Sequence, residues 1–157
     1  LVISARCWYR EFHSPESLRK PGVIITATTI ESPDELRQFL SSSKAILHID
    51  VGWSVYTRFS NPVIHQLRKE VQRSYWHHEV VFRRIDLSDQ EASPLWNVLS
   101  IWLKANGQNE RILSSGYGDL IWIQDGKCSS FVIYAEKEGL KNLRRITWRS
   151  FRSSSSR

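Results

Sequence analysis

Methionine is missing from the 157 residues altogether. The chain therefore carries no initiator, and residue 1 is expected not to be the translated start. Cysteine is nearly missing as well. Cys7 and Cys128 lie far apart in the sequence and share no spacing used for metal ligation or dithiol chemistry. Two isolated thiols favour a reducing, cytoplasmic setting over a disulfide framework. Long apolar runs are absent too: none approaches the roughly 20 residues that cross a bilayer. The opening LVISA is too short for a signal-peptide core, so no transmembrane segment is expected. No His or Cys cluster has ligand spacing. His77 and His78 are adjacent and point different ways, so no metal and no cofactor is expected.

What is present suffices for one domain: 41% hydrophobic residues and seven Trp can bury a sizeable core. The formal net charge of +6 is unevenly placed. From residue 141 onward come Lys141, Arg144, Arg145, Arg149, Arg152 and Arg157 with no acid, which accounts for the whole excess. Any pull on an anionic partner should come from this end.

Alternating strand and helix signals organise the chain. Residues 1–22 are read as an irregular arm that docks through Trp8 and Tyr9. Residues 23–29 form a β-branched strand. Ser32, Pro33 and Glu35 make a capping box with proline at the first helical position, followed by an apolar face of Leu36, Phe39 and Leu40. Residues 45–51 are a near-continuous apolar strand, as expected of one covered on both faces. The turn at Gly52-Trp53 leads into a helix over 54–74 with Ile64, Leu67, Val71 and Tyr75 on one stripe. Pro62 should kink it, unless a shorter helix starts there, capped by Asn61. A strand over 80–87, a second Ser-Pro cap at Ser93-Pro94 and a helix ending at Gly107 follow. Asp125-Gly126 is the strongest short hairpin signal, joining strands over 120–124 and 128–134. A last helix covers 138–151, and the Ser-rich residues 152–157 are expected to be disordered.

The segment from the second strand onward resembles the thioredoxin family. Trp53-Ser54-Val55-Tyr56-Thr57-Arg58 falls where that family carries Trp-Cys-Gly-Pro-Cys-Lys, and Pro62 falls on its helix-kinking proline. The resemblance covers about residues 23–150. It implies an α/β three-layer sandwich: a central, mixed, five-stranded sheet flanked by helices on both faces. Residues 23–151 would be this domain. Both redox cysteines are replaced by hydroxyl residues, Ser54 and Thr57. The family's cis-proline falls on Gly118, and its buried acid falls on His48.

A hydroxyl forms no disulfide and stays protonated near neutral pH, so dithiol exchange at Ser54 and Thr57 is excluded. Three functions remain open. The first is a non-catalytic module that binds protein or peptide around the turn, through Trp53, Ser54, Tyr56, Thr57, Tyr117 and Gly118; the resemblance supports this, since the family binds extended polypeptide here. The second is association with nucleic acid or a membrane surface through a basic stripe of Lys141, Arg145, Arg149 and Arg152 on the last helix; a solvated helix face is the plainer meaning of that stripe. The third is a hydrolase built from Ser54, His48 and Asp50. It competes with a plainer reading in which His48 bonds Thr57 or Asp50 and Ser54 caps the helix.

Overall fold

Punctuation in the sequence sets the elements. The computed structural model describes residues 29–74, 79–110, 113 and 116–152. They form α1 (Pro33–Leu40), β1 (Lys44–Asp50), α2 (Val55–Arg73), β2 (Val81–Asp86), a 3-10 turn (Gln90–Ala92), α3 (Pro94–Ala105), β3 (Asp119–Gln124), β4 (Lys127–Val132) and α4 (Ala135–Arg152). Ser32 Oγ accepts the Glu35 N–H at 3.2 Å, and Ser93 Oγ accepts the Leu95 N–H at 3.3 Å, each with proline in the first turn. The Glu35 carboxylate takes the N–H of Glu31 at 3.0 Å, one residue before the cap. Helix α2 runs unbroken across Pro62, so the shorter helix capped by Asn61 is not formed.

The strand order is β2-β1-β3-β4. β1 pairs in parallel with β2 and antiparallel with β3, and β4 pairs antiparallel with β3. The sheet is mixed, as expected, but has four strands among the described residues rather than five. The fifth, expected over residues 23–29, lies outside the described residues except for Thr29. That residue makes a single parallel bridge to Arg84 on the outer edge of β2, with the Ile30 N–H 2.8 Å from the Arg84 carbonyl. The arm over 1–22 also lies outside the described residues.

Alternation along β1 divides the core. Ala45, Leu47 and Ile49 face α1 and α3, packing with Leu36, Leu99 and Leu103. Ile46 faces the other way, with Leu67 and Val71 of α2 and Leu143 and Phe151 of α4. The three layers are therefore α1 and α3, the sheet, and α2 with α4. Across the second interface, Arg144 makes two bonds to Glu70, from Nε at 2.7 Å and Nη2 at 2.6 Å. No described helix is long and apolar enough to cross a membrane.

The Asp125-Gly126 turn has positive φ at both positions (51° and 74°), the type I′ geometry that suits strand twist. It is pinned from outside, with Asp125 N–H 2.8 Å from the Ser43 carbonyl and Trp102 Nε1 3.1 Å from the Gly126 carbonyl. The last helix starts at Ala135 rather than 138 and is broken at Gly139 (φ 71°, ψ 157°). It also takes in Arg152, which the sequence placed in the tail; residues 153–157 lie outside the described set.

Two predictions test these supports. Trp122 is fully buried, and its Nε1 donates to Thr147 Oγ1 at 3.0 Å while that hydroxyl donates to the Leu143 carbonyl. Thr147→Val strands the indole N–H and should lower stability by about 1–3 kcal/mol in urea unfolding; adding Trp122→Phe should cost less than its single-mutant effect. Gly139 sits in a region of φ/ψ that only glycine occupies readily. Gly139→Ala should destabilise by about 1–3 kcal/mol, although nothing crowds the added methyl.

Candidate functional site

The end of β1 and the start of α2 meet the loop before β3, and polar side chains fasten them. Val51 leaves the strand, and the Ser54 N–H bonds back to its carbonyl at 2.9 Å. Ser54 stands at the N-cap of α2, but its side chain makes no cap bond. Its hydroxyl donates to the carbonyl of Gly116 instead. Thr57 Oγ1, one turn on, donates to that same carbonyl at 3.1 Å. One turn further, Ser60 Oγ donates to the Tyr117 carbonyl at 2.8 Å. Three hydroxyls on one stripe of α2 thus tie down consecutive carbonyls of the loop.

Gly118 completes the clamp. A Cβ built on it would stand 2.4 Å from Ser60 Cβ, and its φ is +80°. The loop can approach the helix this closely only without a side chain there. The adjoining peptide bonds are trans, and the Gly118 carbonyl accepts the Ala135 N–H at 3.3 Å, joining the start of α4.

Above this clamp the surface is aromatic and apolar. Trp53 and Phe59 are each 57% exposed, and Val55, Tyr56, Tyr117 and Ile133 are exposed as well. The rings of Tyr56, Tyr117 and Tyr134 touch, with centroids 4.8, 5.6 and 5.8 Å apart. They form a filled platform rather than a hollow cage. Trp53 is held at its polar end, with Nε1 3.0 Å from the Ser88 carbonyl, while Ser88 Oγ accepts the Gly52 N–H at 2.8 Å. Of the six residues proposed around the turn, Trp53, Tyr56 and Tyr117 meet solvent; Ser54, Thr57 and Gly118 are buried beneath them as supports. Sequence reasoning missed Val55, Phe59, Ile133 and Tyr134. The first two were detectable as apolar residues at i and i+4 on the solvent side of α2. Tyr134 was not, because the sequence carried the hairpin strand through it, whereas β4 ends at Val132.

His48 projects from β1 toward α2, almost wholly buried, and its Nε2 has no partner among the described residues. Neither bond expected of it forms. Asp50 Oδ2 pairs with Arg84 at 2.9 Å, and Thr57 is committed to Gly116. Burial first, then the charges of Arg84 and Arg68, lowers the His48 pKa to about 3. Burial also raises the Asp50 carboxyl, against the opposing pull of Arg84. Because the Ser54 proton is directed at a carbonyl, no serine–histidine relay is assembled. Cys128 pairs with Ile123, which in turn faces Ala45 at the start of β1. The length of β1, roughly 20 Å, separates it from the turn, and burial raises its pKa. Cys7 lies outside the described residues. Among the described residues, no group of His, Cys, Asp or Glu could hold a metal ion.

Gly118→Ala should destabilise by about 3 kcal/mol or more, through overlap and strained φ together; in the Ser60→Gly background the penalty should shrink, a non-additivity readable by thermal unfolding. His48 gives a pH signature. The unfolded imidazole takes up a proton near pH 6.5 and the folded one does not, so stability is full above that pH and falls as pH drops below it. Between pH 7.5 and pH 5 the loss from this group should be about 2 kcal/mol. The difference between wild-type and His48→Leu denaturation profiles measures it; parallel profiles would remove His48 as the cause.

Neither a family model nor a curated protein sequence matches this chain. Its likeness is to solved structures. Thioredoxin from Trypanosoma brucei brucei superposes with a TM-score of 0.55 at 14% identity, covering 87% of this chain and 99% of that one. Thioredoxin from Malassezia sympodialis gives 0.53 at 16% identity, covering 80% and 91%. A single-site mutant of thioredoxin from Halobacterium salinarum gives 0.53 at 14%, covering 83% and 96%. At such identities the likeness is one of architecture, and at that level it agrees with the sequence resemblance: the protein has a thioredoxin-like α/β fold.

Proposed function

We propose that this chain is a redox-inactive, thioredoxin-like binding module that holds a polypeptide partner on the aromatic surface around Trp53. The observation that carries the reading is the coupling of two features in one place. Where the resemblance puts two thiols, Ser54 and Thr57 spend their hydroxyls on the Gly116 carbonyl. Directly above, Trp53, Tyr56, Phe59 and Tyr117 stay exposed. Oxygen at both positions supports binding without disulfide exchange. Rigidly mounted aromatics support contact with apolar and aromatic side chains of a partner, the residue type that dominates binding hot spots. Little ordering entropy is lost at such a surface, because hydroxyl bonds and ring contacts already fix it.

Two measurements test this. Insulin reduction should stay at the uncatalysed rate, and measurable reductase activity would overturn the reading. In panning of a random peptide library against the immobilised protein, selected peptides should be rich in aromatic and aliphatic residues. Their affinity should fall at least tenfold with Trp53→Ala or Tyr56→Ala. Selected peptides indifferent to both substitutions would place binding elsewhere.

A further inference from the structure

The two helical layers of the sandwich differ in charge. Helices α2 and α4 together carry ten basic and three acidic side chains, an excess larger than the +6 of the whole chain. Helices α1 and α3 carry two of each sign. One acid and one base of the positive layer are spent on each other, Glu70 with Arg144. Along α4, Lys141, Arg145, Arg149 and Arg152 are all exposed, and none makes an ion pair among the described residues. Both acids of α4, Glu136 and Glu138, precede Gly139, so the helix beyond that break has only basic charges. A rise of 1.5 Å per residue sets successive stripe cations about 4.5–6 Å apart along the helix axis.

We propose that the basic face of α4 beyond Gly139 docks the phosphate backbone of a nucleic acid, without reading its bases. Charge complementarity calls for a polyanion, and the apolar content of the helix selects among polyanions. A helix lying in a lipid interface needs large apolar side chains to insert. Among the described residues no large apolar side chain is exposed on α4. Leu140 and Ile146 are turned into the core, and Trp148 is half-buried with the Arg152 guanidinium 5.9 Å from its ring centroid. What α4 offers outward is guanidinium and ammonium, which engage phosphates through solvent without insertion. With four such contacts, affinity should fall about a hundredfold on a duplex between 50 and 200 mM salt, and somewhat less on a single strand.

Fluorescence anisotropy of labelled 20-mer DNA and RNA, single and double stranded, tests this on the whole chain. Vesicles containing phosphatidylserine form a parallel sedimentation arm. Micromolar binding at 50 mM salt is expected, lost with the stated steepness. Arg145→Glu/Arg149→Glu should weaken it at least tenfold and flatten the salt slope by about two. Arg37→Glu, on the opposite layer, should leave it within twofold, and so should Trp53→Ala, which separates this surface from the aromatic one. Circular dichroism of each variant checks that the fold is kept. Absence of oligonucleotide binding at 50 mM salt, or binding untouched by the double reversal, overturns the proposal. So does association with vesicles alone, which would assign this face to a membrane surface.

Discussion

A single backbone carbonyl, that of Gly116, accepts hydrogen bonds from two side chains at the start of α2, and the loop before β3 is drawn against the helix as a result. Buried carbonyls must be bonded, and no strand reaches this one. The hydroxyls of Ser54 and Thr57 supply what a strand neighbour would have supplied. Ser60 extends the arrangement to Tyr117, and the bare α-carbon of Gly118 lets it close. Positions that would be expected to react therefore hold the framework together. The aromatic residues derive their fixed positions from this polar layer, since Trp53, Tyr56 and Tyr117 lie on the two segments it joins.

Much of this was legible in the residues. Proline and serine caps marked α1 and α3, apolar continuity marked β1 as central, and Asp125-Gly126 marked the hairpin; each is a short-range rule acting through neighbours in sequence. The resemblance around Trp53 supplied the overall architecture. Long-range pairings were less visible. Nothing in the sequence says that the Ser54 hydroxyl would donate to a carbonyl 62 residues away, because a cap uses only its accepting oxygen and the acceptor for its proton appears only once the loop is placed. His48 shows the same limit. Its position on a central strand foretold burial, but its partner could not be foretold. Asp50 found Arg84 across the strand pair, and the imidazole stays uncharged with its Nε2 unbonded among the described residues.

The sheet separates two kinds of surface chemistry. Its α1–α3 side is electrically balanced and closed by leucines. Its α2–α4 side contains the polar pairings that tolerate burial, Glu70 with Arg144 and Trp122 with Thr147, and along α4 it faces outward with four cations that make no ion pair among the described residues. Exposed side chains of both kinds, aromatic and cationic, are thus carried around the same two helices, the tyrosines before Gly139 and the basic stripe after it.

Gly139 gives that arrangement a mechanical meaning. Before it, a short turn belongs to the clamped loop, through Ala135 and Gly118, and places Tyr134 among the rings. After it, the helix answers to the core through Leu143 and Phe151. Because the backbone leaves helical geometry between the two, rotational phase is not transmitted across the break. The tyrosines and the arginines are therefore carried by two segments whose bearings are fixed separately, the first by the clamped loop and the second by the core.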